Sequence, residues 1–261
     1  MWRGASLRRA PGSHAPIAWG PGPRCYTTAR YDAGRLRHGA HSARRLARDA
    51  EALGLGGLDE AACARALRAA GEAAFGGGPG VVRLEAGRDA GGQLTLAGTT
   101  RPLGPCAATW RVGTSGPVHP GPLGAPGVKR ADLDWLDAAR AERTTLGLDE
   151  LLLFDAEGRL VEGTRTTPIW VDAAGTPATP PLGRGGVAGV AREILFERVP
   201  ELRERDATRD GLRGARELVL VNAVRGACAA ASLDGAERPV APRGSWWERL
   251  AAALDADADG R

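Results

Sequence analysis

From His41 to Leu55 the apolar residues recur at helical spacing, with Leu46, Ala50 and Leu53 on one face and Gly54 closing the run. The pattern predicts a helix there. It predicts a second from Asp59 to Phe75, ended by Gly76-Gly77-Gly78. Ahead of them, Cys25–Tyr31 has strand character, and Asp32-Ala33-Gly34 reads as a turn into Arg35-Leu36-Arg37, together a hairpin. Val81–Leu84 and Gln93–Ala97 predict strands about a Gly-Arg-Asp-Ala-Gly-Gly turn, and Ala107–Val112 a third. Residues 1–24 are irregular and rich in Gly and Pro, with short apolar pieces suited to edge strands.

The second half alternates between the two periods. A helix is predicted over Leu133–Arg143, then a strand over Glu150–Asp155, the turn 156–159 and Leu160-Val161-Glu162-Gly163. The strand Ile169–Asp172 follows, and a helix over Val190–Arg198 starts directly after Gly189. Glu217–Val221 is a strongly apolar strand, and Asn222–Gly226 leads into another. A helix from Ser245 closes the pattern, with Trp246 and Trp247 expected to anchor it on the core. Strands joined by short turns, with helices between the groups, point to two α+β domains.

Residues 113–127 break the pattern most sharply, with four prolines and five glycines in fifteen positions. They read as a connection between a smaller domain over 1–112 and a larger one over 128–261. A residue just past that connection is expected at a domain seam, where ligand clefts commonly form.

Composition narrows the function classes. The 261 residues are 43% hydrophobic and 25% charged, which suits a globular chain with a real core. The net charge is +4, but the arginines are scattered among 31 acidic residues instead of gathered into a stripe, so a nucleic-acid partner is not expected. The mild basic patch is Arg8, Arg9, Arg35, Arg37, Arg44, Arg45 and Arg48, which an anionic small molecule fits equally well. Cys25, Cys63, Cys106 and Cys228 are far apart, with neither zinc spacing nor a disulfide framework, so reduced thiols and no metal are expected. No apolar run is long enough to span a bilayer, and the first twenty residues make a poor signal peptide; a cytoplasmic protein without a membrane partner is the expectation. His14, His38, His41 and His119 all read as solvated, in loops or at a helix start.

One residue stands out. Lys129 is the one lysine among 35 lysines and arginines. Arginine cannot replace lysine where a primary amine must deprotonate and add to a carbonyl, which makes Lys129 a candidate Schiff-base lysine. A leftover surface lysine is the plain alternative. Three further features carry possible chemistry. Gly183–Gly189 followed by a helix offers backbone N–H groups to a phosphate, or is a simple loop-to-helix junction. Glu162 in Val-Glu-Gly places a carboxylate among apolar neighbours, where it could pair with a ring nitrogen or face water. Asn222 at a strand end either faces a ligand or forms a turn.

The order Lys129, Glu162-Gly163, Gly189-Val190-Ala191-Arg192, Asn222-Ala223 resembles the class IV aminotransferase family, the fold-type IV pyridoxal-phosphate enzymes. The stretch from LLLFDAEGRLVEG to GRGGVAGVAREIL reads like that family's core. Cys25-Tyr26-Thr27-Thr28-Ala29-Arg30, followed by a helix carrying Arg45-Leu46, looks like the bacterial aminodeoxychorismate lyases. The likeness spans about residues 20–240.

The resemblance implies a two-domain α+β fold with its active site at the domain seam, and pyridoxal 5'-phosphate as cofactor. It implies that Lys129 holds the cofactor covalently and later shuttles the substrate proton, and that Glu162 pairs with the pyridinium nitrogen. Arg45, or Arg44 if the register shifts by one, would hold the phosphate, with Val190, Ala191, Asn222 and Ala223 completing its cup. Tyr26, Thr28, Arg30 and, less directly, Arg83 would line the substrate side. The implied reaction converts 4-amino-4-deoxychorismate to 4-aminobenzoate and pyruvate. An aminotransferase on branched-chain or D-amino acids, sharing every cofactor residue, is the alternative, and a non-catalytic basic binding protein the remote one. Relatives imply an amine substrate and a homodimer. The sequence departs from the family at Ala191, where a hydroxyl residue is usual, and at Thr167-Pro168, where Pro168 lacks an N–H.

Overall fold

The computed structural model describes residues 6–8, 17–114, 116–237 and 244–258. His14 lies outside them. The chain divides into two compact units, 1–105 with 128–132, and 106–127 with 133–261. Each has its own sheet, in an α+β arrangement.

In the first unit, β1 (Ser6–Arg8), β2 (Cys25–Asp32), β3 (Arg35–Arg37), β4 (Gly80–Arg88) and β5 (Leu94–Pro102) form a sheet in the order β1-β5-β4-β2-β3. Helices α1 (Gly39–Ala52) and α2 (Glu60–Phe75) cover one face. Asp59 caps α2 by accepting the Ala62 N–H. Leu46, Ala50, Cys63 and Leu67 of the helices meet Cys25, Tyr31, Val82 and Leu84 of the strands in one core. Gly71 lets α2 approach so closely that an added Cβ would meet the Tyr31 ring.

The second unit holds β6 (Thr109–Gly113), α3 (Asp134–Thr145), β7 (Glu150–Phe154), β8 (Leu160–Gly163), β9 (Thr167–Val171) and β10 (Pro177–Thr179). After these come α4 (Val190–Arg198), β11 (Arg203–Glu204), α5 (Arg209–Arg213), β12 (Glu217–Asn222), β13 (Gly226–Leu233), β14 (Ala236–Glu237) and α6 (Ser245–Ala258). Its sheet runs β11-β10-β9-β12-β13-β6-β7-β8, with β14 against β13. The Trp246 indole N–H donates to the Gly175 carbonyl and that of Trp247 to Ala227, and both rings join the core under α6. The Glu217 carboxylate accepts the backbone N–H groups of both tryptophans, a cap on the helix start supplied from β12. Pro168 sits inside β9 opposite Leu220, and its carbonyl accepts from the Thr179 hydroxyl.

The division differs from the one read off the composition. Thr109–Gly113 pairs in parallel with β13 and β7, so it belongs to the second unit's sheet, not to the first domain. Val128–Asp132 falls with the first unit, not at the head of the second. Both assignments rest on pairings with residues far along the chain.

Among the described residues no helix is long and apolar enough to cross a membrane. All four cysteines are free, and only Cys106 is exposed. Burial pushes the thiols of Cys25 and Cys228 up to about 12 and that of Cys63 to about 11. Alkylation of the native protein at neutral pH should therefore give a single adduct, at Cys106, and unfolding should expose all four. Mass spectrometry of the two samples reads the difference, and rapid native labelling at Cys25, Cys63 or Cys228 would contradict the burial.

Candidate active site

Lys129 lies in an extended segment beside the start of β2. Its carbonyl accepts the Tyr26 N–H at 3.0 Å, next to an antiparallel bridge between Cys25 and Arg130. Its own N–H donates to Oδ2 of Asp49 at 3.0 Å. Asp49 is fully buried on α1, and its Oδ1 accepts from the Arg48 guanidinium. Burial raises the Asp49 carboxyl above the usual carboxylate range, against the opposing pull of the Lys129 N–H, Arg45 and Arg48.

The Nζ of Lys129 is 5.0 Å from the centre of the Tyr26 ring, and the Arg83 guanidinium carbon is 3.7 Å from the same ring. Strand alternation explains this grouping. Tyr26, Thr28 and Arg30 share one face of β2, while Cys25 and Tyr31 turn into the helix-covered core. The register sets Thr28 opposite Arg83 and Tyr26 opposite Glu85. Glu85 accepts from Arg24 at 2.8 Å and Arg83 at 2.6 Å, and Arg30 pairs with Asp32. Arg45 is on the helix side of the strand, 3% exposed, with its guanidinium donating to Thr27 Oγ1 at 2.8 Å. Arg44 is exposed, so of the pair Arg45 alone faces inward.

In the second unit Glu162 sits on β8 with its side chain 12% exposed. Its Oε2 accepts the Val187 N–H at 3.0 Å, and its Oε1 lies 3.6 Å from His119 Nε2. The strand end beneath it is tied to Glu150, which is fully buried and accepts from the hydroxyls of Thr164 and Thr166. Gly163 is required there, because an added Cβ would press on the Glu150 carboxyl and the Thr166 hydroxyl.

Gly189 is the N-cap of α4, and Val190 and Ala191 in its first turn are 1% and 2% exposed. Helix geometry gives their N–H groups no intrahelical acceptor, and the helix dipole adds partial positive charge, so this end suits an anion. Val190, Ala191, Val221 and Ala223 pack in one cluster, which brings the α4 start to the β12–β13 turn. Asn222 holds that turn: its Oδ1 accepts the N–H groups of Val224 and Arg225. The side-chain oxygen is thus committed to the turn, which leaves its amide group for any other contact.

Three residues that sequence reasoning passed over support these groups. The sequence pattern singles out neither Asp49 nor Glu150, and it reads His119 as solvated, which burial corrects. His119 is 2% exposed, and His38 and His41 are also buried. The loop that carries His119 folds back on β7, with the His119 N–H donating to the Phe154 carbonyl, so a polar, proline-rich stretch ends up inside. For Asp49 a signal existed: His41, Arg45 and Asp49 recur every four residues, a polar stripe along the buried face of α1.

Comparison with known proteins adds the following. The sequence profile described as "Amino-transferase class IV" matches residues 24–233. No curated protein sequence matches the chain. Among solved structures, the chain is similar to 4-amino-4-deoxychorismate lyase from Pseudomonas aeruginosa, with TM-score 0.80 and 26% identity over 95% of this chain and 97% of that one. It is similar in fold to a hypothetical aminotransferase from Mycobacterium tuberculosis in its PLP-bound form, with TM-score 0.80 and 19% identity over 93% and 95% of the two chains. The branched-chain aminotransferase from Thermoproteus uzoniensis with norvaline gives TM-score 0.78 and 22% identity over 92% of this chain and 86% of that one.

Proposed function

The chain belongs to the class IV aminotransferase family, and from that premise we propose that it is the pyridoxal-phosphate-dependent lyase that converts 4-amino-4-deoxychorismate to 4-aminobenzoate and pyruvate. Dependence on pyridoxal 5'-phosphate belongs to the family, and the residues present fit that cofactor. A single lysine has its backbone fixed. A largely buried carboxylate has one oxygen held by a backbone N–H. A guanidinium is buried on α1, and a helix start presents buried first-turn residues.

Lys129 Nζ is assigned the covalent bond to the cofactor, Glu162 the pairing with its ring nitrogen, and Arg45, Val190, Ala191, Asn222 and Ala223 its phosphate. When bound, the cofactor supplies an electron sink for the carbanion formed at the amine-bearing carbon. Lys129 Nζ would take the proton from that carbon and return one to the methylene carbon of the three-carbon fragment, whose ether C–O bond to the ring breaks. Aromatisation of the remaining ring drives the release. Atoms balance without water or a second substrate.

The observation that supports the lyase reading over its alternative is the Tyr26 face. An aromatic ring carries a guanidinium at 3.7 Å and an amine at 5.0 Å, with Thr28 and Arg30 along the same strand face. That combination suits an unsaturated, carboxylate-bearing ring better than an aliphatic amino acid. The likeness to the Pseudomonas lyase points the same way. A homodimer is part of the same proposal.

An aminotransferase on branched-chain or D-amino acids needs a keto-acid acceptor, and the lyase does not. Incubating the holoenzyme with aminodeoxychorismate and no acceptor should release pyruvate and 4-aminobenzoate in equal amounts. Absence of pyruvate, with amino transfer from leucine or D-alanine to a keto acid, would replace the lyase by the transferase.

A further inference from the structure

We propose that His119 is a positioning residue for Glu162: as a neutral imidazole with its proton on Nε2, it holds the carboxylate in the orientation that a ring nitrogen needs. The inference rests on Glu162 being that nitrogen's partner.

The tautomer follows from the hydrogen bonds. His119 Nδ1 accepts the Gly121 N–H at 3.0 Å, so Nδ1 carries a lone pair and the ring proton must sit on Nε2. Nε2 is the atom that faces Glu162 Oε1, at 3.6 Å. The ring cannot turn away freely. It is 2% exposed, stands edge-on to Trp135 with centroids 4.6 Å apart, and its backbone N–H is bonded to Phe154.

The other carboxylate oxygen is fixed independently by the Val187 N–H. Glutamate's last torsion is broad and roughly two-fold, so a carboxylate held at one oxygen still swings about that contact. The Nε2–H faces the second oxygen from 3.6 Å, beyond hydrogen-bond reach, so its dipole favours one setting of the carboxylate plane. The two segments also pack on each other. Gly185, at φ 100°, approaches the backbone of Gly121 and Pro122 so closely that an added Cβ would meet Gly121 at 2.5 Å. The loop bearing Val187 therefore packs directly on the loop bearing His119. Around metal ions, removing an outer group that orients a ligating side chain typically costs about 10- to 100-fold in affinity, and His119 stands to Glu162 as such an outer group.

Four variants test this: His119→Leu, His119→Gln, Glu162→Gln and the His119→Leu/Glu162→Gln double variant. Pyridoxal 5'-phosphate is titrated into each apoprotein, and the dissociation constant and the absorption band of the bound form are read. His119→Leu should weaken binding about tenfold and shift the band. His119→Gln, whose amide nitrogen can stand in for Nε2–H, should bind within about threefold of wild type. On the Glu162→Gln background, His119→Leu should change nothing further.

Wild-type binding by His119→Leu, a loss no smaller in His119→Gln, or an additive loss in the double variant would each overturn the proposal while leaving Glu162 in its role. If Glu162→Gln binds with unchanged affinity and spectrum, the reading of Glu162 itself fails, and the role of His119 with it. Nitrogen NMR of the wild-type apoprotein, assigned by the signal lost in His119→Gln, decides the case even if the leucine variant does not fold. The Nε2–H tautomer is expected, and a proton on Nδ1 would overturn the proposal.

Discussion

Lys129→Ala protein is expected to lose turnover by roughly a thousandfold or more while folding as the wild type does. Removing the side chain leaves the backbone contacts intact, since the Lys129 carbonyl and N–H bond to Tyr26 and Asp49 whatever the residue carries. What disappears is the one side-chain amine in the chain. Borohydride reduction of wild-type holoenzyme should fix the cofactor to a single peptide, the one containing Lys129, and reduction of the variant should fix none. Lys129→Arg should behave as the alanine variant does, because a guanidinium keeps its proton. Cofactor fixed to the reduced variant, or turnover retained, would remove Lys129 from the chemistry.

Asp49→Ala is the second large effect, and it reaches the same lysine from behind. The substitution removes the buried acceptor of the Lys129 N–H, a loss of about 1 to 3 kcal/mol in denaturant unfolding of the apoprotein, while the exposed Arg48 guanidinium turns to water. Cofactor retention should fall as well, since the segment bearing the amine loses one of its two backbone ties. Asp49→Asn keeps an oxygen for the Lys129 N–H and should recover most of both. The carboxyl also gives the two proteins different pH behaviour. Its value is higher folded than unfolded, so its contribution to stability is full below the unfolded value and is withdrawn as pH rises through the folded one. Wild type should lose stability relative to Asp49→Asn across that window, read from unfolding midpoints at a series of pH values. A constant difference would mean that the carboxylate is not held in the environment described.

The local elements were legible because each rests on neighbours in the sequence. The start of α4 after Gly189 and the apolar run of β12 follow directly from spacing and punctuation. What escaped was set by partners far along the chain. The side of the division on which residues 109–113 and 128–132 fall depends on pairing with residues 226–233 and 24–26. The burial of His119 depends on a loop folding onto β7. Candidate chemistry was legible in the order of Lys129, Glu162, the Gly189 junction and Asn222, but the supports were not. Asp49 was hidden as a polar stripe running beside an apolar one, and Glu150 as an acid at the head of a leucine-rich strand. Asn222 shows both meanings at once, since the residue that marks the strand end also builds the turn.

The two backbone ties of Lys129 make a fixed pivot. One tie runs to a sheet strand and the other to a helix, so neither the amide nor the carbonyl can travel without breaking a bond to a different element. All motion of the amine must then come from the torsions of four methylenes, a crank arm on a stationary bearing. A shorter arm on the same bearing, such as ornithine placed at position 129, would keep the chemistry of the amine and lose its stroke.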